Sequence, residues 1–182
     1  MSDEAEFPSR YAPVDVDLRN PILAAMLAWL WPGAGHLYQR RFGKGALFMV
    51  CVLTTYFFGL TIAEGHVVFV RLKQPHPHYS FLGQIGVGLP AMPAVAQKVA
   101  KDMGWGPLFG GVMAPPSGKV SIDQHDELAS WHEKLGFAFE LGVLFTTIAG
   151  LLNVLAIFDA YAGPVFTVPG AQPGHQASPS SD

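Results

Sequence analysis

Two stretches of this sequence run uncharged for the length of a bilayer crossing. Gly45 to Ala63 reads GALFMVCVLTTYFFGLTIA, and Leu141 to Phe158 reads LGVLFTTIAGLLNVLAIF. As helices rising ~1.5 Å per residue, each reaches close to the ~30 Å thickness of bilayer hydrocarbon. Glu140 and Asp159 bracket the second run, and Tyr161 lies just outside it. Charged and aromatic residues at the ends of an apolar helix are what a lipid–water boundary favours. Two such runs are hard to hide inside a chain of 182 residues. Only 14% of those residues are charged, where soluble domains carry about a quarter. The expected fold class is therefore all-α: an integral membrane helical bundle with two transmembrane helices and one or two broken or re-entrant apolar segments.

The small residues of the two runs suggest how they pack. Cys51, Thr55, Gly59 and Ala63 recur every four residues on the first. Ala138, Gly142, Thr146 and Gly150 do so on the second, with Asn153 three residues further on. Residues four apart share a helix face, and small side chains let two backbones approach in lipid, where apolar contact alone gains little. The two faces are expected to meet, with Asn153 hydrogen-bonded inside the bundle.

The segment 21–38 is apolar but interrupted. Asn20 can cap a helix whose first turn holds Pro21. The apolar run Ile22 to Trp31 then meets Pro32-Gly33-Ala34-Gly35-His36 after ~16 Å, about halfway across a bilayer. Either the helix kinks at Pro32 and continues through Tyr38, or the chain turns back as a re-entrant segment, its freed backbone groups covered by protein or water. Phe81 to Val95 is apolar too, loosened by Gly83, Gly86 and Gly88 and broken by Pro90 and Pro93. It reads as a broken crossing or an interfacial segment, and Met103 to Met113 is too glycine-rich for a regular helix.

The expected organisation is a polar tail over 1–19, a membrane domain over 20–163 and a disordered Pro/Gly/Ser-rich tail over 164–182. Within the membrane domain, 64–136 forms an insert after the apolar segments 21–38 and 45–63, and 137–163 forms the last one. Met1 to Arg19 lacks the basic start and cleavage pattern of a signal peptide. Ser121 to Lys134 reads as an amphipathic helix with Asp123 near its start. Arg40, Arg41 and Lys44 sit in a short connection and favour the cytoplasmic side, which puts the insert outside.

Pro32-Gly33-Ala34-Gly35-His36-Leu37-Tyr38, followed by Arg40, Gly43 and Gly45, resembles the TM-two domain family. In that family a glycine-rich turn leading into His and an aromatic follows a short apolar helix. Gly150-Leu-Leu-Asn-Val-Leu-Ala-Ile-Phe-Asp159 resembles that family's closing helix, which commonly ends in an aspartate. The likeness covers 21–63 and 141–162 and departs at 64–140, where the family has a short connection. The whole pattern resembles an uncharacterised bacterial membrane family with such an insert. The resemblance implies a membrane module without an established catalytic activity and supplies no active site.

Individual residues point the same way. His36 with Arg40 and Arg41 could bind a lipid phosphate, since Arg offers paired donors. The plainer reading is an interfacial turn in which His36 and Tyr38 sit at headgroup level. Asp159 can pair with Arg40 or Arg41, or stand in an ion path. His76, His78, Asp123, His125, Asp126, His132 and Glu133 lack a zinc-like spacing. His125 and His132 fall two helical turns apart, ~10 Å, too far for one ion. The single cysteine, Cys51, excludes an internal disulfide, and a net charge of −3 gives no support for nucleic-acid binding. No nucleophile motif, phosphate-cradling loop, metal site or cofactor site emerges. The expected protein is a non-enzymatic scaffold or assembly module in the bacterial cytoplasmic membrane, partnered by the bilayer and by another membrane protein or a second copy. The alternative is a subunit of a small-solute or ion transporter or channel.

Overall fold

The computed structural model describes residues 19–71, 78–116 and 127–163, and every regular element among them is helical. Two long helices form the frame: α3 (Phe42–Ile62) and α7 (Phe137–Ala162). Both are long and apolar enough to cross a membrane. They run antiparallel, since Lys44 near the start of α3 bonds Asp159 near the end of α7, while Gly59 lies against Gly142 at the other end.

Two broken segments fill the frame. The first is a hairpin of α1 (Pro21–Leu30) and α2 (Ala34–Tyr38). Asn20 caps α1 through its side-chain oxygen, which accepts from the Ile22 and Leu23 amides at 3.1 and 3.2 Å. The chain then reverses through Trp31-Pro32-Gly33, where Gly33 takes a φ of +81° that favours glycine. Because α2 folds back along α1, the Arg19 guanidinium donates to the Tyr38 carbonyl at 3.1 Å. The segment therefore turns back on itself rather than continuing in one direction past Pro32. Gly35 permits this, because a side chain there would fall on the Ala24 carbonyl of α1.

The second broken segment enters from the other end. α4 (Ser80–Gln84) runs along α7 into a 3-10 turn at Ile85–Val87, and the chain reverses at Gly88 into a second at Leu89–Ala91. It returns through α5 (Met92–Asp102). Gly88 sits against the carbonyls of Trp29 and Leu30, so the bends of the two broken segments touch inside the frame. The stretch 81–95 thus runs from α4 through the bend of this second hairpin into the first turn of α5. Beyond it, 103–116 is irregular apart from a single 3-10 turn at Phe109–Gly111. Glu127–Leu135 forms α6, and Gly136 separates it from α7 with a φ of +49°. The start expected for that amphipathic helix near Asp123 lies outside the described residues.

The expected face on α3 needs correction. Gly59 and Ala63 do meet α7, but Cys51 is exposed and Thr55 only half-buried, its hydroxyl donating to the Cys51 carbonyl at 2.7 Å. A strict four-residue ladder drifts around a helix by ~40° per step at 3.6 residues per turn, so three steps carry it off a straight seam. The buried seam instead runs Gly45, Val52, Tyr56, Gly59, Leu60. On α7 the buried face is Gly142, Thr146, Ala149, Gly150, Asn153, Ala156 and Ala160. Gly142 and Thr146 face α3 there, whereas Gly150 faces Gly83 and Gly86 of the second hairpin.

The outward faces are apolar. Leu47 and Leu155 are 60% and 65% exposed, and Val50, Phe57, Phe58, Leu144, Leu151, Val154 and Phe158 are exposed with them. Soluble monomers rarely show contiguous apolar surface on this scale.

Candidate functional site

Breaking two helices frees backbone carbonyls, and inside a bundle each needs a donor. Buried amide side chains supply several. Asn153, fully buried on α7, donates through Nδ2 to the Ala28 carbonyl of the first hairpin at 3.1 Å and the Gly86 carbonyl of the second at 2.9 Å. Gln84 donates to the Val67 carbonyl at 3.0 Å and to the Thr146 hydroxyl at 2.9 Å. The Tyr56 hydroxyl donates to the Pro90 carbonyl at 3.1 Å. One side chain, Asn153, therefore ties both hairpins to the frame. The carbonyl oxygens of the Asn153 and Gln84 amides have no partner among the described residues.

The second polar centre closes the end where α7 stops. Asp159 accepts from His36 Nε2 at 2.7 Å and from Lys44 Nζ at 2.7 Å, with Arg41 at 3.4 Å. Three consecutive parts of the chain, α2, the link before α3 and α3 itself, meet on one carboxylate at least 115 residues away. His36 is fully buried, its ring 4.9 Å from that of Phe48. Beside it, Gln39 donates to the Ala160 carbonyl at 2.7 Å, fixing the α2 end to α7. Arg19 lies over the Tyr38 ring, 5.4 Å from its centroid.

The expected partners of Asp159 are thus partly revised. Arg41 is in reach, but Lys44 and His36 make the shorter contacts. Arg40 adopts a φ of +60° in the tight link between α2 and α3 and is exposed. Pro32, Gly33 and Gly35 lie buried in the first hairpin, where they let α1, α2 and α3 approach. Glu140 is exposed and lies 3.6 Å from His132.

Sequence reasoning passed over Gln84, Tyr56, Lys44 as an ion partner, and Gly88 as the site of a reversal. Gln84 carried a signal, being the one amide in an otherwise apolar run. Gly88-Leu89-Pro90 mirrors the Pro32-Gly33 break, so the pairing of two bends was also there to be read. Lys44 gave none, since a carboxylate 115 residues away leaves no local trace.

Chemically, the Asp159 cluster holds one carboxylate against an imidazole, an ammonium and a guanidinium. Among the described residues no group of three His, Cys, Asp or Glu side chains could hold a metal ion. The histidines and acids at 72–77 and 117–126 lie outside the described residues. A cleft of about 290 Å³ on the insert, lined by Gln97, Lys101, Trp105, Pro107, Pro115 and Glu127, is remote from both polar centres. The Lys101 ammonium there is already engaged by the Pro115 and Pro116 carbonyls at 2.8 and 2.7 Å.

The cluster makes a prediction. Asp159→Ala leaves Lys44, Arg41 and buried His36 without their shared acceptor. We expect a loss of about 1–3 kcal/mol, moderated by partial solvent access. The check is thermal unfolding of the purified protein, with Glu140→Ala, an exposed acid on the same helix, expected to change little.

The architecture defines a class: an all-helical protein in which two long apolar helices clasp two short hairpins that meet from opposite ends. Within that class the chain belongs to a family of unknown function, DUF6677, whose family model matches residues 23–173. The match takes in every described helix except the first residues of α1. No curated protein and no solved structure matches the chain.

Proposed function

We propose that this chain is a multi-pass integral membrane protein acting as a non-enzymatic scaffold or assembly module. The observation that carries the membrane reading is the apolar outer surface of α3 and α7, whose charged residues sit near the helix ends. In water that surface would drive association, whereas in lipid it is at home. The buried amide nitrogens of Gln84 and Asn153 donate to the protein's own backbone or to a neighbouring hydroxyl, which suits a body that holds shape and presents it to a partner. The likeness of the Pro32–Tyr38 turn and of the Asp159 helix end to the TM-two domain family belongs to this reading, and so does a bacterial cytoplasmic membrane as its location. The first hairpin and Arg40 to Lys44 then face the cytoplasm, and the insert faces outward.

A photo-activatable residue at Leu155 or Val50, expressed in the native membrane, tests the scaffold role. A single protein adduct of defined mass, this chain's own dimer included, is the expected outcome. Adducts to lipid alone at both positions count against it.

One observation favours a second reading, a subunit of a solute or ion transporter. Hairpins entering from opposite ends and meeting at Asn153, whose amide oxygen lacks a partner, resemble the broken helices from which membrane paths are built. Flux of an ion or small solute in reconstituted vesicles that disappears on Asp159→Asn would favour it over the scaffold.

A further inference from the structure

We propose that the basic end of the bundle binds the phosphate of an anionic phospholipid headgroup; this rests on the membrane reading above. Among the described residues three cations, Arg40, Arg41 and Lys44, gather there around one carboxylate, Asp159. Arg40 and Arg41 form the link before α3, and Lys44 lies in the first turn of α3. Asp159 satisfies Lys44 and, at a longer distance, Arg41. Positive charge therefore remains in excess, and much of it is accessible. Arg40 is exposed and its side chain makes no hydrogen bond or ion pair among the described residues, and the Lys44 side chain is 35% exposed. Gly43, between them, has nothing within 4 Å of where a side chain would begin, so approach is open.

The surroundings select a lipid over a free anion. Phe42 and Leu47, 65% and 60% exposed, flank the cations on α3 and continue into its apolar outer face. Tyr161 is exposed at the matching end of α7. A ligand that covers this patch carries a phosphate at one end and hydrocarbon at the other. Arginine supplies paired donors to phosphate oxygens, and a basic residue near an anionic membrane surface strengthens attachment about fivefold. A zwitterionic headgroup of no net charge gains far less.

The test uses the full chain in vesicles with spin-labelled phosphatidylglycerol or phosphatidylcholine, reading the motion-restricted fraction of each. The expected result is a preference for phosphatidylglycerol of about fivefold. It should fall toward unity in Arg40→Gln, vanish in Arg40→Glu, and shrink in ~1 M NaCl, where the screening length is about 3 Å. The Arg40 side chain has no described partner, so both variants should keep the wild-type unfolding temperature in phosphatidylcholine. Equal association of the two lipids, or a preference that both Arg40 variants retain, overturns the proposal. Displacement of the labelled lipid by millimolar inorganic phosphate assigns the cations to a free anion and overturns it too. Failure of the chain to enter vesicles at all defeats the membrane reading as well, whereas entry without preference defeats only this inference.

Discussion

Gly150→Ala is expected to prevent the bundle from closing. A Cβ at Gly150 would fall inside the van der Waals surface of the Gly83 carbonyl oxygen and 3.3 Å from the Gln84 Cα. Both are backbone atoms, so no side chain can rotate aside. The second hairpin would have to move away from α7, taking with it the Gln84–Thr146 bond and the Asn153 bond to Gly86. Overpacking of a tight core costs about 1–3 kcal/mol when side chains can adjust, and a backbone obstruction belongs at or above the top of that range. Gly43→Ala is the matched control. It sits in open space on a helix, and alanine is the better helix former by up to ~1 kcal/mol. Thermal unfolding in detergent should separate the two: Gly150→Ala with no cooperative transition or a strongly lowered one, Gly43→Ala equal to or above wild type. Similar behaviour of the two would mean that α4 does not lie on α7.

The second large effect is expected at Asn153. Its amide nitrogen donates to two carbonyls that belong to different hairpins. Aspartate is nearly the same size and cannot donate unless protonated. Holding a carboxyl of ordinary pKa ~3.9 protonated at neutral pH costs about 4 kcal/mol. Leaving it ionised instead places a charge against two carbonyl oxygens in a fully buried position. Asn153→Asp should therefore be more damaging than Asn153→Ala, which loses two bonds and some packing, about 1–3 kcal/mol. The same unfolding measurement ranks them. If Asn153 only filled space, the order would reverse, because aspartate preserves volume and alanine does not.

How far these features could be read in the sequence depended on whether their cause is local. The two long helices were legible because an uncharged run of bilayer length is a property of consecutive residues. The cap at Asn20, the break at Pro32 and the separate helix before α7 were legible for the same reason. The small residues of α7 marked a packing face correctly in character, but not which element would cover each part of it. Gly142 meets α3 while Gly150 meets α4, and that division is set by where the second hairpin enters. On α3 the four-residue spacing misled at Cys51 and Thr55, because a ladder that looks continuous in sequence winds around the helix.

The polar centres divide in the same manner. Asp159 and its basic surroundings stood out because charges at the ends of apolar helices are few. That Lys44 and His36, rather than Arg40, would reach it depended on how the tight link sets α2 and α3 against the end of α7. Asn153 stood out as an amide within an apolar helix, but its two acceptors lie 67 and 125 residues away. Whether the chain continues past Pro32 or turns back on itself was not readable from 21–38 alone, since proline and glycine permit both. It was decided by tertiary contacts: the Arg19 bond to Tyr38, and the fit of Gly35 on Ala24 and of Gly33 on Gly45.

The most direct test of the account is side-specific thiol labelling in intact cells. Cys51 is replaced by serine, and single cysteines are placed at Ser9, Gly43 or Gly106; the structure leaves open space at the last two. The account predicts that Ser9→Cys and Gly43→Cys label from one side of the membrane and Gly106→Cys from the other, because the first hairpin returns to its own side and α3 then crosses. Labelling of Ser9→Cys and Gly43→Cys from opposite sides would make residues 21–38 a crossing and contradict it.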